Sequence, residues 1–171
     1  MAFVVEDGTG LPDSNAYIEV AFADGYFADR NNAEWAALTT EQKEVAIISA
    51  TDYIDFRWGS KFKSYPSVEG QALEFPREAW LGIPTGVKKA CAEYAVRASK
   101  FTLAPDIEQD PSGYQISRKM ESIGPISERT DFAFLGPGAQ RKLFKPYPAA
   151  DYLLLPYMRN GAAGGGVIRN G

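Results

Sequence analysis

The chain has no histidine and a single cysteine, Cys91, among its 171 residues. Without histidine there is no Ser-His-Asp triad, no imidazole metal ligand and no histidine pH switch. One cysteine makes neither an internal disulfide nor a cysteine zinc site. The common hydrolytic mechanisms lose their usual residues, so the expectation is a protein that is not an enzyme and needs no cofactor or metal. Scarce cysteine also suits a reducing cytoplasm, or a particle assembled in one. Long apolar runs are missing too: no stretch approaches the roughly 20 residues that cross a bilayer. The first residues, Met1 to Gly8, lack the basic stretch and apolar run of a signal peptide. A soluble, unexported protein with no membrane partner is expected.

What is present is uneven charge. The formal net charge is −4, but residues 1–60 carry eleven acids against three bases (Arg30, Lys43, Arg57). That part is −8, and the remaining residues, with fifteen bases and eleven acids, are +4. Such polarity bears on association rather than on fold, because an acidic face can steer onto the basic face of another copy or onto a partner. A solvated surface that is simply uneven is the other reading.

The pattern along the chain is mainly α. Turn formers fill Glu6 to Asn15, and Val20 to Arg30 reads as a helix weakened by Gly25. Thr39 and Gln42 form a capping box ahead of Ala46, Ile47, Ala50, Tyr53 and Ile54, which recur at helical spacing as far as Phe56. Residues 57–83 are irregular, with Leu73, Phe75, Trp80, Leu81 and Ile83 as expected anchors. Pro84 opens a further helix with the stripe Val87, Cys91, Tyr94, Ala98 and Phe101. Cys91 lies in that stripe and reads as a small core residue. Tyr114 to Ser122 and Pro125 to Phe134 alternate around Gly124 and predict a twisted hairpin. Its charged residues Arg118, Lys119, Glu121, Glu128 and Arg129 suit packing against another subunit. Pro148 opens a short helix that Pro156 stops. Residues 159–171 are a Gly-rich tail with too little apolar content to fold alone. The expected architecture is a small bundle of about four helices, with a projecting hairpin, in one domain over residues 1–158, followed by that tail.

No segment carries a phosphate loop or dinucleotide fingerprint: the glycines of 136–138 and 161–166 lack the required context. Asp52 and Asp55, three apart on one helix, suit a solvated face better than a pair of catalytic acids. Two clusters interleave bases with rings as single-strand binders do: Lys61-Phe62-Lys63 with Tyr65, and Arg141-Lys142 with Phe144 and Lys145. The plainer reading makes the rings core anchors from which the lysines reach water. The segment Tyr152, Leu153, Leu154, Leu155, Tyr157, Met158 and Arg159 is more apolar than a chain end needs. It either closes its own core or docks, with Val167, Ile168 and Arg169 beyond it, in a partner's groove.

Several segments together resemble a known family. They are Glu6 to Pro12, Asn15-Ala16-Tyr17, Ala50 to Asp55, Gln71-Ala72-Leu73-Glu74-Phe75-Pro76-Arg77, Ile83-Pro84 leading into Val87 to Ala90, and Gly124-Pro125. The resemblance, over most of residues 4–158, is to small tailed-bacteriophage proteins labelled DnaT-like single-stranded DNA binding proteins. The same family is similar to head-tail adaptor proteins. Phe75 stands where many relatives carry tryptophan, which keeps the anchor role. The adaptor likeness implies a noncatalytic neck protein of the virion, made in the host cytoplasm. It would form a homo-oligomeric ring of twelve, bind the portal protein through its C-terminal segment and a tail or nozzle protein on the other side, and let genomic DNA pass. The DnaT-like label implies direct binding of single strands in replication. The adaptor is the first expectation and strand binding the alternative, because the uneven charge suits the two unlike faces of a ring and the basic clusters are short for gripping phosphates.

Overall fold

The computed structural model describes residues 2–105, 115–120, 129–133 and 144–159. The described chain is mainly helical, with five helices: α1 (Val20–Ala28), α2 (Ala33–Ala36), α3 (Thr40–Trp58), α4 (Thr85–Ala98) and α5 (Pro148–Leu154). By its contacts the chain divides into two units, residues 1–103 with 146–171, and residues 104–145.

The first unit is built around α3. Its start is set by the predicted capping box: the Gln42 N–H donates to Thr39 Oγ1 at 3.3 Å, and the Thr39 N–H donates to Gln42 Oε1 at 2.9 Å. From there Ala46, Ile47, Ala50, Tyr53, Ile54 and Trp58 turn one face inward. That face packs on α4, whose buried residues are Val87, Ala90, Cys91, Ala92, Tyr94, Ala95 and Val96, and α5 also packs against α4. Small residues at 46, 50, 90, 92 and 95 allow close approach of the two backbones, while the tyrosines supply most of the area. Cys91 is fully buried beside Thr51, and desolvation pushes its thiol up to about 12. It is a packing residue, as its place in the stripe predicted.

Three local features differ from the sequence reading. A short α2 is present, capped by Asn32 Oδ1, which accepts the Trp35 N–H. It delivers Trp35 into the core against Phe27, with ring centroids 5.1 Å apart. Helix α4 ends at Ala98, so Phe101 lies beyond the helical stripe and stacks on Tyr147 from a half-exposed position. Leu81, an expected anchor of the irregular segment, is fully exposed.

That segment is instead held by a buried arginine. The Arg77 Nε donates to Lys63 O at 3.0 Å, Nη2 to Ser64 O at 2.8 Å, and Nη1 to both the carbonyl and the carboxylate of Glu74. A rigid planar fork can satisfy several loop carbonyls at once, which is how a stretch without periodicity keeps one shape. Glu6 does the converse job near the N-terminus. Its buried carboxylate accepts the N–H groups of Gly8, Gly10 and Leu11 and the Ser14 hydroxyl, all within 3.0 Å. Gly8 and Gly10 in that turn have φ of +100° and +85°, a region that favours glycine.

In the second unit, β1 (Gln115–Met120) and β2 (Arg129–Ala133) pair antiparallel, with an irregularity between Ile116 and Arg118. Lys119 stands opposite Thr130, and Arg118 opposite Asp131. The turn that would join the strands into the expected hairpin, including Glu121, Gly124 and Glu128, lies outside the described residues, as does the tail beyond Arg159.

Candidate functional site

The sequence-predicted residues of the first unit converge where the end of α3 meets the C-terminal segment. A 3-10 turn over Gly59–Lys61 ends α3 and gives way to extended backbone at Phe62. The chain returning from α5 lies antiparallel to it, with Phe62 facing Met158. The Lys63 N–H donates to Tyr157 O at 2.8 Å and the Arg159 N–H to Lys61 O at 2.9 Å. Phe62 and Met158 are both buried. Lys61, Lys63, Tyr157 and Arg159 flank this bridge and are all partly or fully exposed.

Burial bears on two alternatives left open by the sequence. Phe62 is a core ring, packed edge-on against Phe75 at 4.8 Å, and offers no stacking surface to a base. Leu154 and Met158 close the chain's own core rather than waiting for a partner's groove. Tyr152 is 70% exposed and Arg159 is exposed, while Leu153, Leu155 and Tyr157 are partly so. Tyr65, also 70% exposed, is the one ring of the first cluster still open to a base. Lys63 Nζ donates to Pro156 O at 3.1 Å, so this lysine helps hold the returning segment.

The second basic cluster is only partly described. Arg141 and Lys142 lie outside the described residues, Phe144 is partly exposed and Lys145 exposed. Tyr147, just after it, is buried in the first unit against Tyr53 and Tyr94. Val167, Ile168 and Arg169 fall outside the described residues.

A polar hub fixes the returning segment from α5. Asp151 accepts Arg57 Nη2 at 3.1 Å and Nη1 at 3.3 Å, the Tyr94 hydroxyl at 2.5 Å, and the Tyr147 N–H at 3.0 Å. Tyr94 in turn accepts the Trp58 Nε1–H at 3.0 Å. A two-pronged Arg–Asp pair that is largely buried is strongly destabilising to break, by about 3–5 kcal/mol, because the surviving charge is left without compensation. Nothing in the spacing of Arg57 and Asp151 signals this pairing, since the partners are separated by most of the chain.

Asp55 was read as part of a solvated face, and only Asp52 fits that reading. Asp55 is partly buried; it accepts the Tyr17 hydroxyl on one oxygen and the Glu74 N–H, at 3.0 Å, on the other. Desolvation pushes its carboxyl up to about 7, against the pull of those two hydrogen bonds and with help from the negative charges of Glu74 and Asp52. It borders an open cleft of about 470 Å³ with Glu69, Gln71 and Glu74 in the lining. Among the described residues, no group of three acids or cysteines is arranged to hold a metal. None of the described helices is long and apolar enough to cross a membrane.

Around Trp58 the charge is of the other sign. The Arg57 guanidinium carbon lies 4.3 Å and Lys61 Nζ 4.5 Å from its ring centroid. Burial and the neighbouring Arg57 charge lower the pKa of Lys61, with Asp151 pulling the other way. With Lys63 and Arg159, four cations share this end of the unit, and the one described ion pair to any of them is Arg57 with Asp151.

A family model described as "Putative DnaT-like ssDNA binding protein" matches residues 1–170. Comparison with curated proteins and with solved structures gives no match.

Proposed function

This chain belongs to the DnaT-like ssDNA binding protein family, and from that membership we propose that it works by binding single-stranded DNA, without catalysis. The match over nearly the whole chain is the observation that carries this reading. Binding would draw on the basic end of the first unit and on the exposed Tyr65 ring, since phosphate pairing and ring stacking are the two sequence-tolerant contacts available to single strands. The test is fluorescence anisotropy with a labelled oligothymidylate between about 50 and about 200 mM salt. Salt-sensitive binding to the single strand, stronger than to a duplex, supports the reading; no binding at low salt overturns it.

A second reading is favoured by a different observation. The subunit leaves Phe56, Tyr152, Val45 and Leu81 in water on a protein whose first 60 residues are strongly acidic. Large apolar side chains of this kind and complementary charge suit contacts between copies or with a partner. In this reading the chain is a head-tail adaptor of a tailed phage, assembled as a ring at the virion neck between the portal and a tail protein, with Tyr152 and Arg159 among its docking residues. Light scattering on the chain alone and mixed with portal protein tests it. A ring-sized particle or a stable portal complex supports it, and a monomer that ignores portal overturns it.

A further inference from the structure

We propose that Lys61, Lys63 and Arg159 form one contact row for the phosphate backbone of a single strand, built where residues 61–63 pair with residues 157–159. The proposal rests on the single-strand reading above and gives it a site.

The pairing brings together bases that are almost a hundred residues apart in sequence. Because the Arg159 N–H donates to Lys61 O beside the Phe62–Met158 bridge, these two residues stand directly opposite each other. Like charges directly opposite across an antiparallel pair are destabilising. Here the repulsion is increased by Arg57, which shares the Trp58 ring with Lys61. Among the described residues, none of Lys61, Lys63 and Arg159 has a carboxylate within ion-pair distance; the nearby Asp151 is engaged by Arg57, Tyr94 and the Tyr147 N–H. The fold thus holds cations together without neutralising them.

Two of the three already use part of their hydrogen-bonding capacity. Lys63 spends one ammonium proton on Pro156 O, and Arg159 spends its Nε–H on Phe62 O at 3.0 Å. That leaves two protons on Lys63 and the terminal guanidinium nitrogens of Arg159 for acceptor oxygens. A chain of phosphates, with one charge per nucleotide, matches a row of point charges better than a single small anion does. Exposed Tyr65 follows two residues after Lys63 and supplies a ring for a base beside that row.

The experiment compares the full chain with the Lys61→Gln/Lys63→Gln/Arg159→Gln variant in the oligothymidylate anisotropy assay. Each lost phosphate contact lowers the slope of log K against log salt by about 0.7, so the triple variant loses about 2 from the slope. Arg159→Gln alone, at an exposed side chain, loses about 0.7 and guards against a triple variant that fails to fold. Lys61→Arg/Lys63→Arg retains the slope, as does Arg30→Gln, whose guanidinium packs on Tyr26 at the far end of α1. Wild-type binding with an unchanged slope in folded triple and single variants overturns the row while leaving the single-strand reading intact. Absence of wild-type binding overturns both. Displacement of the oligonucleotide by polyglutamate of equal charge assigns the face to an acidic protein and overturns the phosphate assignment.

Discussion

Replacing Asp55 by Asn should remove most of a specific pH dependence of stability. In the folded chain its carboxyl ionises at about 7, against roughly 3.9 for an exposed aspartate. Below about pH 4 both states hold the proton and the group makes no difference. Between about pH 4 and 7 the unfolded chain has released it while the folded chain keeps it. Stability therefore falls as pH rises through this window, by up to about 1.4 kcal/mol per pH unit, and levels off above the folded value. The difference of about 3 pH units integrates to roughly 4 kcal/mol. Asn is the apt replacement because it keeps the shape of the carboxyl without its charge; its carbonyl accepts one of the two donors, the Tyr17 hydroxyl or the Glu74 N–H, and the loss of the other is an offset that does not vary with pH. Urea unfolding of both proteins from about pH 4 to 8 gives the comparison, and the stability of Asn relative to Asp should rise by roughly 4 kcal/mol across that range. Parallel profiles would refute the reasoning. A trend of opposite sign would show that the Tyr17 and Glu74 hydrogen bonds outweigh desolvation and hold Asp55 ionised.

Three further substitutions test the packing and hydrogen bonding of the first unit. Phe62→Ala should cost about 3–5 kcal/mol in denaturant unfolding, as expected of a buried aromatic; a neutral result would return Phe62 to the surface and to base stacking. Gly86→Ala improves intrinsic helix propensity by about 1 kcal/mol, yet an added Cβ would lie 2.6 Å from Tyr157 Cε2 and 2.9 Å from Leu153 O. The variant should be destabilised by about 1–3 kcal/mol and should release the returning segment to limited proteolysis; a gain in stability would show that this contact yields freely. Glu6→Gln turns one of the two acceptor oxygens into a donor facing N–H and O–H groups, and each unsatisfied donor costs about 1–3 kcal/mol. A thermal midpoint unchanged from wild type would show that the N-terminal turn does not depend on the carboxylate.

How much of this was legible in sequence depended on distance along the chain. Helices α3 and α4 were readable because a capping box, a proline start and a 3.6-residue stripe are local signals, and the core role of Cys91 followed from its place in that stripe. The short α2 was not readable, since four residues give no period. The Lys61-Phe62-Lys63 pattern was ambiguous by construction. Alternation of base and ring is the same in a binding platform and in a segment that buries the ring, and only the distant bridge to Met158 and the packing on Phe75 decide where the ring goes. Arg77 and Asp151 were missed as anchors because an arginine or an aspartate in sequence reads as surface until its partners are known.

By itself the sequence determined a helical, histidine-free chain without metal-site or phosphate-loop motifs, with most of its bases after residue 60 and its acids divided evenly about that point. Those properties are composition and local period, and they need no knowledge of contacts. Tertiary structure decided which polar groups are buried together: Asp55 with Tyr17 and Glu74, Arg57 with Asp151, and Lys61 opposite Arg159. Each depends on segments distant in the chain meeting in space, where desolvation and like-charge repulsion act on groups that in the unfolded chain are simply solvated.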